Sequence, residues 1–193
     1  MGTSSSMINR MIRAAKLDVA LYEEVEADTG ATGQAVLAVV TVSVIAGIGT
    51  AIGGIIAGAG LWIIWGLLAG IAGSLVGWLA WSFFTWLLGT TIFKGPETKA
   101  TWGELMRTIA FAYSPGVFRF FTFIPFIGPL IGFAALIWSL IAGVIAVRQA
   151  LDFSTGRAIA TCIVGWIIYL IIMVLIGVLV GGIGLGLGRA GMF

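Results

Sequence analysis

No residue between Asp28 and Lys94 carries a formal charge, and the run is built overwhelmingly from Ala, Val, Ile, Leu, Gly and Trp. One bilayer crossing takes about 20 apolar residues, so this stretch crosses more than once. A water-soluble fold would need polar surface to cover so much apolar sequence. The chain is therefore read as a polytopic membrane protein. Its 9% charged and 60% hydrophobic residues, with mean hydropathy +1.14, lie far from those of soluble domains. Inside a bilayer the backbone must satisfy itself, which leaves helices or a closed barrel. Barrel strands alternate apolar and polar in segments of about ten residues. This sequence does not alternate, so the expected fold class is all-α, a five-transmembrane-helix bundle preceded by a cytoplasmic amphipathic helix.

The same composition narrows chemistry. The net charge of +2 is spread along the chain and forms no basic patch, so no nucleic-acid partner is expected. There is no His and a single Cys, Cys162, which removes imidazole metal sites and every Ser/His or Cys/His nucleophile pair. No carboxylate pair falls within a span. The sequence thus predicts no catalytic residues, no metal and no cofactor. Cys162, in an apolar run, reads as a small packing residue.

Residues 1–30 are expected to form the cytoplasmic or interfacial segment and residues 31–193 the membrane domain. Within 7–28, Ile8, Met11, Ile12, Ala15, Val19 and Tyr22 recur at helical spacing, predicting one continuous amphipathic helix. Its charges run Arg10, Arg13, Lys16, then Asp18, Glu23, Glu24, Glu26 and Asp28. That order opposes the helix dipole and implies compensation from outside the helix. Two accounts stand: the basic end lies on anionic headgroups, or the acidic end docks a basic partner.

The uncharged run divides at Gly58-Ala59-Gly60, giving spans at about 34–58 and 61–91. Small residues recur every third or fourth position, with Gly54 and Gly58 in the first span and Gly66, Gly70, Gly73 and Gly77 in the second. Lipid supplies no hydrophobic force between helices, so such stripes are expected to pack the two spans together. Charge returns at Lys94, and Thr101-Trp102-Gly103-Glu104 spells a capping box that starts a helix at the membrane surface. A third span is placed at about 106–125, kinked at Pro115 and closed by a turn through Pro125, Gly128 and Pro129. The fourth and fifth spans fall at about 129–150 and 157–180. In the glycine-rich tail, Gly186, Gly188 and Gly191 match a dinucleotide-binding pattern, but no strand precedes them.

With five spans, Arg10, Arg13, Lys16, Lys94, Lys99, Arg107, Arg148 and Arg157 share one side and Arg189 stands on the other. The positive-inside rule then makes the N-terminus cytoplasmic and the C-terminus external. Arg119 falls within the third span. It either snorkels to headgroups, holds a lipid phosphate or acidic cofactor, or meets a partner's carboxylate, with the Tyr113 hydroxyl nearby. Trp62, Trp65, Trp86 and Trp102 read as interfacial anchors. Trp138 and Trp166 fall deeper, in bundle packing or against a lipid, pigment or quinone.

Two segments carry a family resemblance. KGPETKATWGELMRTIAFAYSPGVF, residues 94–118, holds a glycine, a short polar stretch, a helix and an aromatic–small–Pro approach to span three. IPFIGPLIGFAALIWSLIAGVIAVRQALDFSTGRAIA, residues 124–160, holds a Pro-Gly turn, an Ile-Trp pair in span four and a Ser-x-x-x-Ala start to span five. In this order the chain resembles the Yip family of Ypt/Rab-interacting proteins, in its prokaryotic branch. The resemblance implies a five-helix bundle with a cytoplasmic N-terminus, in the cell membrane of a prokaryote. Eukaryotic members bind Rab-type GTPases, help vesicle traffic and carry a long N-terminal tail. The segment ahead of the apolar run here is far shorter, so that partner is not carried over.

The resulting expectation is a non-enzymatic scaffold or accessory subunit that packs with other membrane proteins, self-associates or organises lipid. The alternative is a small-solute or ion conduit, since transport needs intramembrane polar groups and Arg119 is one. The candidate lipid or partner contacts are Arg119, Tyr113, Arg10, Arg13, Lys16, Glu23, Glu24 and Glu26.

Overall fold

A computed structural model describes residues 6–58, 60 and 62–189 of the chain. It is all-α, with helices α1 (Met7–Ala15), α2 (Val19–Ala27), α3 (Thr32–Ile56), α4 (Trp62–Thr91), α5 (Trp102–Ala112), α6 (Ile127–Ala150) and α7 (Thr155–Arg189). A long 3₁₀ helix, Ser114–Phe123, joins α5 to α6. Among the described residues four helices are long and apolar enough to cross a membrane, lying at Thr29–Ile56, Ile63–Thr91, Ile127–Ala150 and Thr155–Ile172.

These four follow the apolar runs, and α3 and α4 part at the glycines foreseen, with Gly58 at φ 79° and Gly60 at φ 59°. Only residues without Cβ adopt that region freely. The Thr101–Glu104 capping box is present in both directions, which fixes where α5 starts.

Three expectations need correction. The single helix over 7–28 is two helices, broken at Leu17 with φ 60°. Asp18 caps α2 by accepting from the Ala20 amide, so the chain gains a new helix start where one continuous helix would have left Asp18 exposed in its middle. The third span is not one membrane-length α-helix. Pro115 has no amide hydrogen and would clash with the preceding turn, and the α5 helix gives way at Ser114 to ten residues of 3₁₀ helix. The turn closing that segment is also tighter than expected: Phe126 holds φ 64°, and Gly128 and Pro129 already belong to α6. Helix α7 continues past the expected limit of the fifth span near residue 180, to Arg189. It therefore takes in Gly186 and Gly188, while Gly191 lies outside the described residues.

Packing is concentrated at one end of the molecule. Ala14, Leu21, Tyr22, Val25, Leu105, Ile109, Phe111, Val147 and Leu151 are fully buried, joining α1, α2 and α5 to the C-terminal end of α6 and its cap residue. Burial of each large apolar side chain is worth about 1.5–3 kcal/mol. This head anchors the long helices, whose remaining lengths expose Ile, Leu, Phe and Trp.

The 3₁₀ helix follows α3 away from the head. Gly116 sits against Val42, Gly49 against the Phe120 backbone and Gly53 against Phe123. On its other side Gly128 of α6 lies against the Thr122 backbone. The closest backbone approaches thus use Gly49 and Gly128, whereas Gly66, Gly70 and Gly73 meet no atom within 4 Å of where a Cβ would stand. Gly77 faces the Tyr169 hydroxyl, at 3.2 Å from such a Cβ. The narrow 3₁₀ rod, rather than α4, occupies the tightest seam along α3.

Candidate functional site

Two polar constellations stand out, one in the head and one along the 3₁₀ helix. In the head, Arg10 is only 2% exposed. Its guanidinium donates to Glu24 at 3.0 Å, to Asp28 at 2.7 Å and to the Gln34 amide oxygen at 3.0 Å, tying α1 to α2 and to the first turn of α3. Arg13 donates to Asp18 at 2.7 Å and to Glu24 at 2.5 Å. The Arg13 hydrogen bond holds the Asp18 carboxyl below its ordinary range, and Arg10 does the same for Asp28.

The charge order that opposes the helix dipole is resolved within the chain. Once the helix breaks at Leu17, Arg13 lies in the last turn of α1, where a cation is favoured. The acidic end of α2 folds back onto Arg10 and Arg13. Its last carbonyls receive Arg107 of α5, which donates to the Val25 oxygen at 2.9 Å and to the Glu26 oxygen. The basic partner for the acidic end is thus this chain's own arginines. Glu23 accepts from the Gln149 amide at 2.8 Å, and the Trp138 indole donates to the Ala15 carbonyl at 2.8 Å, so α6 closes the same head. Ile8, Ile12 and Lys16 remain exposed on the outer stripe of α1.

Glu26 carries a pH response. Burial first, then the neighbouring Glu104, Asp152 and Glu23 charges, opposed by Arg107, together push its carboxyl up to about 7. A carboxyl whose folded value lies above its unfolded one favours the fold while protonated. That contribution is complete below about pH 4.5 and is lost as pH rises through 7. Glu26→Gln is therefore expected to raise the unfolding temperature in detergent at pH 8 and to leave it unchanged at pH 4.5. After allowance for solvent screening at a half-buried site, the gain is about 1 kcal/mol.

The second constellation surrounds Arg119. All eight Asp and Glu residues belong to the head elements or the loops beside them. Among the described residues the Arg119 guanidinium has neither ion pair nor hydrogen-bond partner. It lines two cavities at once, and Tyr113 and Val42 line both with it. The smaller, about 190 Å³, lies between the 3₁₀ helix, α4, α6 and α7, and also receives Trp81, Ser139 and Tyr169. The Trp81 indole nitrogen is buried without a partner among the described residues. The larger, about 390 Å³, opens between α3 and α4 and is lined by Gly54, Gly66 and Gly70. The predicted pair of Arg119 and Tyr113 is brought together, whereas Arg10, Arg13, Glu23, Glu24 and Glu26 belong to the separate head. Sequence reasoning missed Ser139, Tyr169 and Trp81, which come from three other helices.

Of the aromatic anchors, Trp86 donates to the Ala100 carbonyl and Trp102 to the Ser82 hydroxyl. Phe118 stacks on Trp138 with centroids 5.5 Å apart.

A family model described as Yip1 domain matches residues 19–180. No curated protein and no solved structure matches the chain.

Proposed function

The chain belongs to the Yip1 domain family, and from that premise we propose that it works as a non-catalytic accessory protein of the membrane, packing with other membrane proteins or organising lipid around its splayed helices. One observation carries this reading. Over an apolar stretch of 18 residues in α4 only 6% of the positions are buried within the molecule, against 28% in the corresponding stretches of α3 and of α6. Trp65, Leu68, Val76, Leu79, Phe83 and Leu87 are exposed at spacings that keep them on one side of α4. A helix held at the head and left bare along one face has its lateral contacts supplied by something else, lipid or a neighbouring subunit.

The proposed topology follows from the same layout. With Arg107 held in the head, the five residues of α5 beyond it rise about 7 Å and the 3₁₀ helix about 20 Å, together close to a hydrocarbon core of about 30 Å. The two segments form a composite fifth crossing between α4 and α6. The head then lies in the cytoplasm with Arg10, Arg13, Lys16, Lys94, Lys99, Arg107, Arg148 and Arg157, and the end of α7 lies outside. The proposed home is the cell membrane of a prokaryote.

Extraction in mild detergent followed by native gel and mass spectrometry tests the reading. A second membrane protein, or a fixed complement of lipid, should accompany the chain. Paired Val76→Ala and Phe83→Ala should reduce that association without loss of monodispersity. A bare monomer without lipid that passes solutes in liposomes would instead establish the conduit reading, which Arg119 and its two cavities favour.

A further inference from the structure

Resting on that membrane-embedded reading, we propose that the paired cavities bind an acidic amphiphile. Its oxyanion is held by Arg119, Tyr113, Ser139 and Tyr169, and its hydrocarbon chain lies in the larger cavity between α3 and α4. The ligand's chemistry follows from what the smaller cavity offers. Arg and Trp side chains can only donate hydrogen bonds, and among the described residues neither the exposed Arg119 guanidinium nor the buried Trp81 indole has an acceptor. Tyr113, Ser139 and Tyr169 add hydroxyls to the same walls, and none of the three is hydrogen-bonded within the described residues.

Ser139 is informative by contrast. In the membrane helices, Ser43, Thr50 and Ser74 each turn their hydroxyl to the carbonyl four residues back, on Val39, Ala46 and Gly70. Ser139 does not, so its hydroxyl stays available to the cavity. A group of donors with one fixed positive charge and no carboxylate calls for a ligand with several acceptor atoms and a negative charge. A carboxylate or a phosphate meets that description, and guanidinium binds either one bidentately.

The larger cavity sets the rest of the ligand. The hydroxyls of Ser43, Thr50 and Ser74 on its walls are already satisfied, and Gly47, Gly66 and Leu67 present only hydrocarbon or backbone. The missing side chains at Gly66 and Gly70 keep the slot open. Arg119 stands where the two cavities meet, so an acidic head and an attached chain reach both volumes from one anchor point. Fatty-acid carboxylates and anionic phospholipids share this chemistry.

The test uses delipidated full-length protein in nanodiscs of dioleoyl phosphatidylcholine, titrated with oleate or with dioleoyl phosphatidylglycerol and read by native mass spectrometry. One equivalent of an anionic probe should be retained over phosphatidylcholine. Arg119→Leu should weaken retention about tenfold or more, and Tyr169→Phe several-fold, the scale of a lost hydrogen bond to a charged group. Arg119→Lys should fall between them, and it carries the test together with Tyr169→Phe if the leucine variant does not fold. Gly70→Leu should exclude oleate while sparing octanoate. Retention of oleate alone assigns the carboxylate, retention of phosphatidylglycerol alone assigns the phospholipid, and both support the site. Retention of neither, or equal retention in wild type, Arg119→Lys and Tyr169→Phe, overturns it. Subunits that still co-migrate in the native gel would then leave the accessory reading standing.

Discussion

Replacing Gly49 with alanine is expected to abolish recovery of monodisperse protein, while Gly70→Ala leaves it unchanged. A Cβ on Gly49 would overlap the Phe120 carbonyl, and the obstructing atoms are backbone that cannot rotate away. Relief requires the 3₁₀ helix to leave α3, which also parts Gly53 from Phe123 and Gly116 from Val42. Overpacking in well-filled interiors costs about 1–3 kcal/mol and more where backbone must move, so the cost here is about 3 kcal/mol or greater. Gly70 has open space in the same direction. Size-exclusion chromatography of the two variants in one detergent reads the difference, and equal recovery would mean that the 3₁₀ helix is not seated on α3.

The second large effect is expected at Arg10. Arg10→Met keeps the apolar stem but removes the guanidinium that joins α1, α2 and α3. Removing one partner of a buried ion pair costs about 3–5 kcal/mol, and the lower figure applies because Glu24 and Asp28 are each about a third exposed. Loss of that amount should release α1 and uncover Ala14, Leu21 and Tyr22. Hydrogen exchange should then show amides over 7–27 losing protection while those of α6 keep it. Arg13→Met, at a side chain 27% exposed, should cost about 1 kcal/mol or less. Matching exchange in both variants would place the strength of the hairpin in its apolar contacts alone.

What the amino-acid order reveals here depends on the range of the forces involved. The four membrane-length helices are written in uncharged runs, and the start of α5 in a capping box, because both are local patterns. The 3₁₀ helix is not written so plainly. Ser-Pro-Gly announces a disturbance, but ten mostly apolar residues do not distinguish a period of 3.0 from 3.6. The break at Leu17 has no glycine or proline to mark it. Its one signal is Asp18, a favoured N-cap placed in the middle of an apparent helix. Glycine spacing shows which face of a helix is small, not which neighbour comes close, so Gly49 and Gly128 could not be ranked above Gly66, Gly70 and Gly73. Arg119 was legible as a charge among apolar residues, but its company was not. Tyr113, Trp81, Ser139 and Tyr169 line one cavity with it only because five separate segments converge.

In the proposed topology α5 and the 3₁₀ helix carry the chain across the membrane between α4 and α6. Single cysteines at Glu97 and Phe126, in a Cys162→Ala background, flank that segment; Phe126 is 97% exposed. A membrane-impermeant maleimide applied to right-side-out and inverted vesicles locates each one. Phe126→Cys should be labelled only from outside and Glu97→Cys only from the cytoplasmic face. Labelling of both positions from the same face would contradict it, leaving four crossings and the 3₁₀ helix folded back toward the side from which it came.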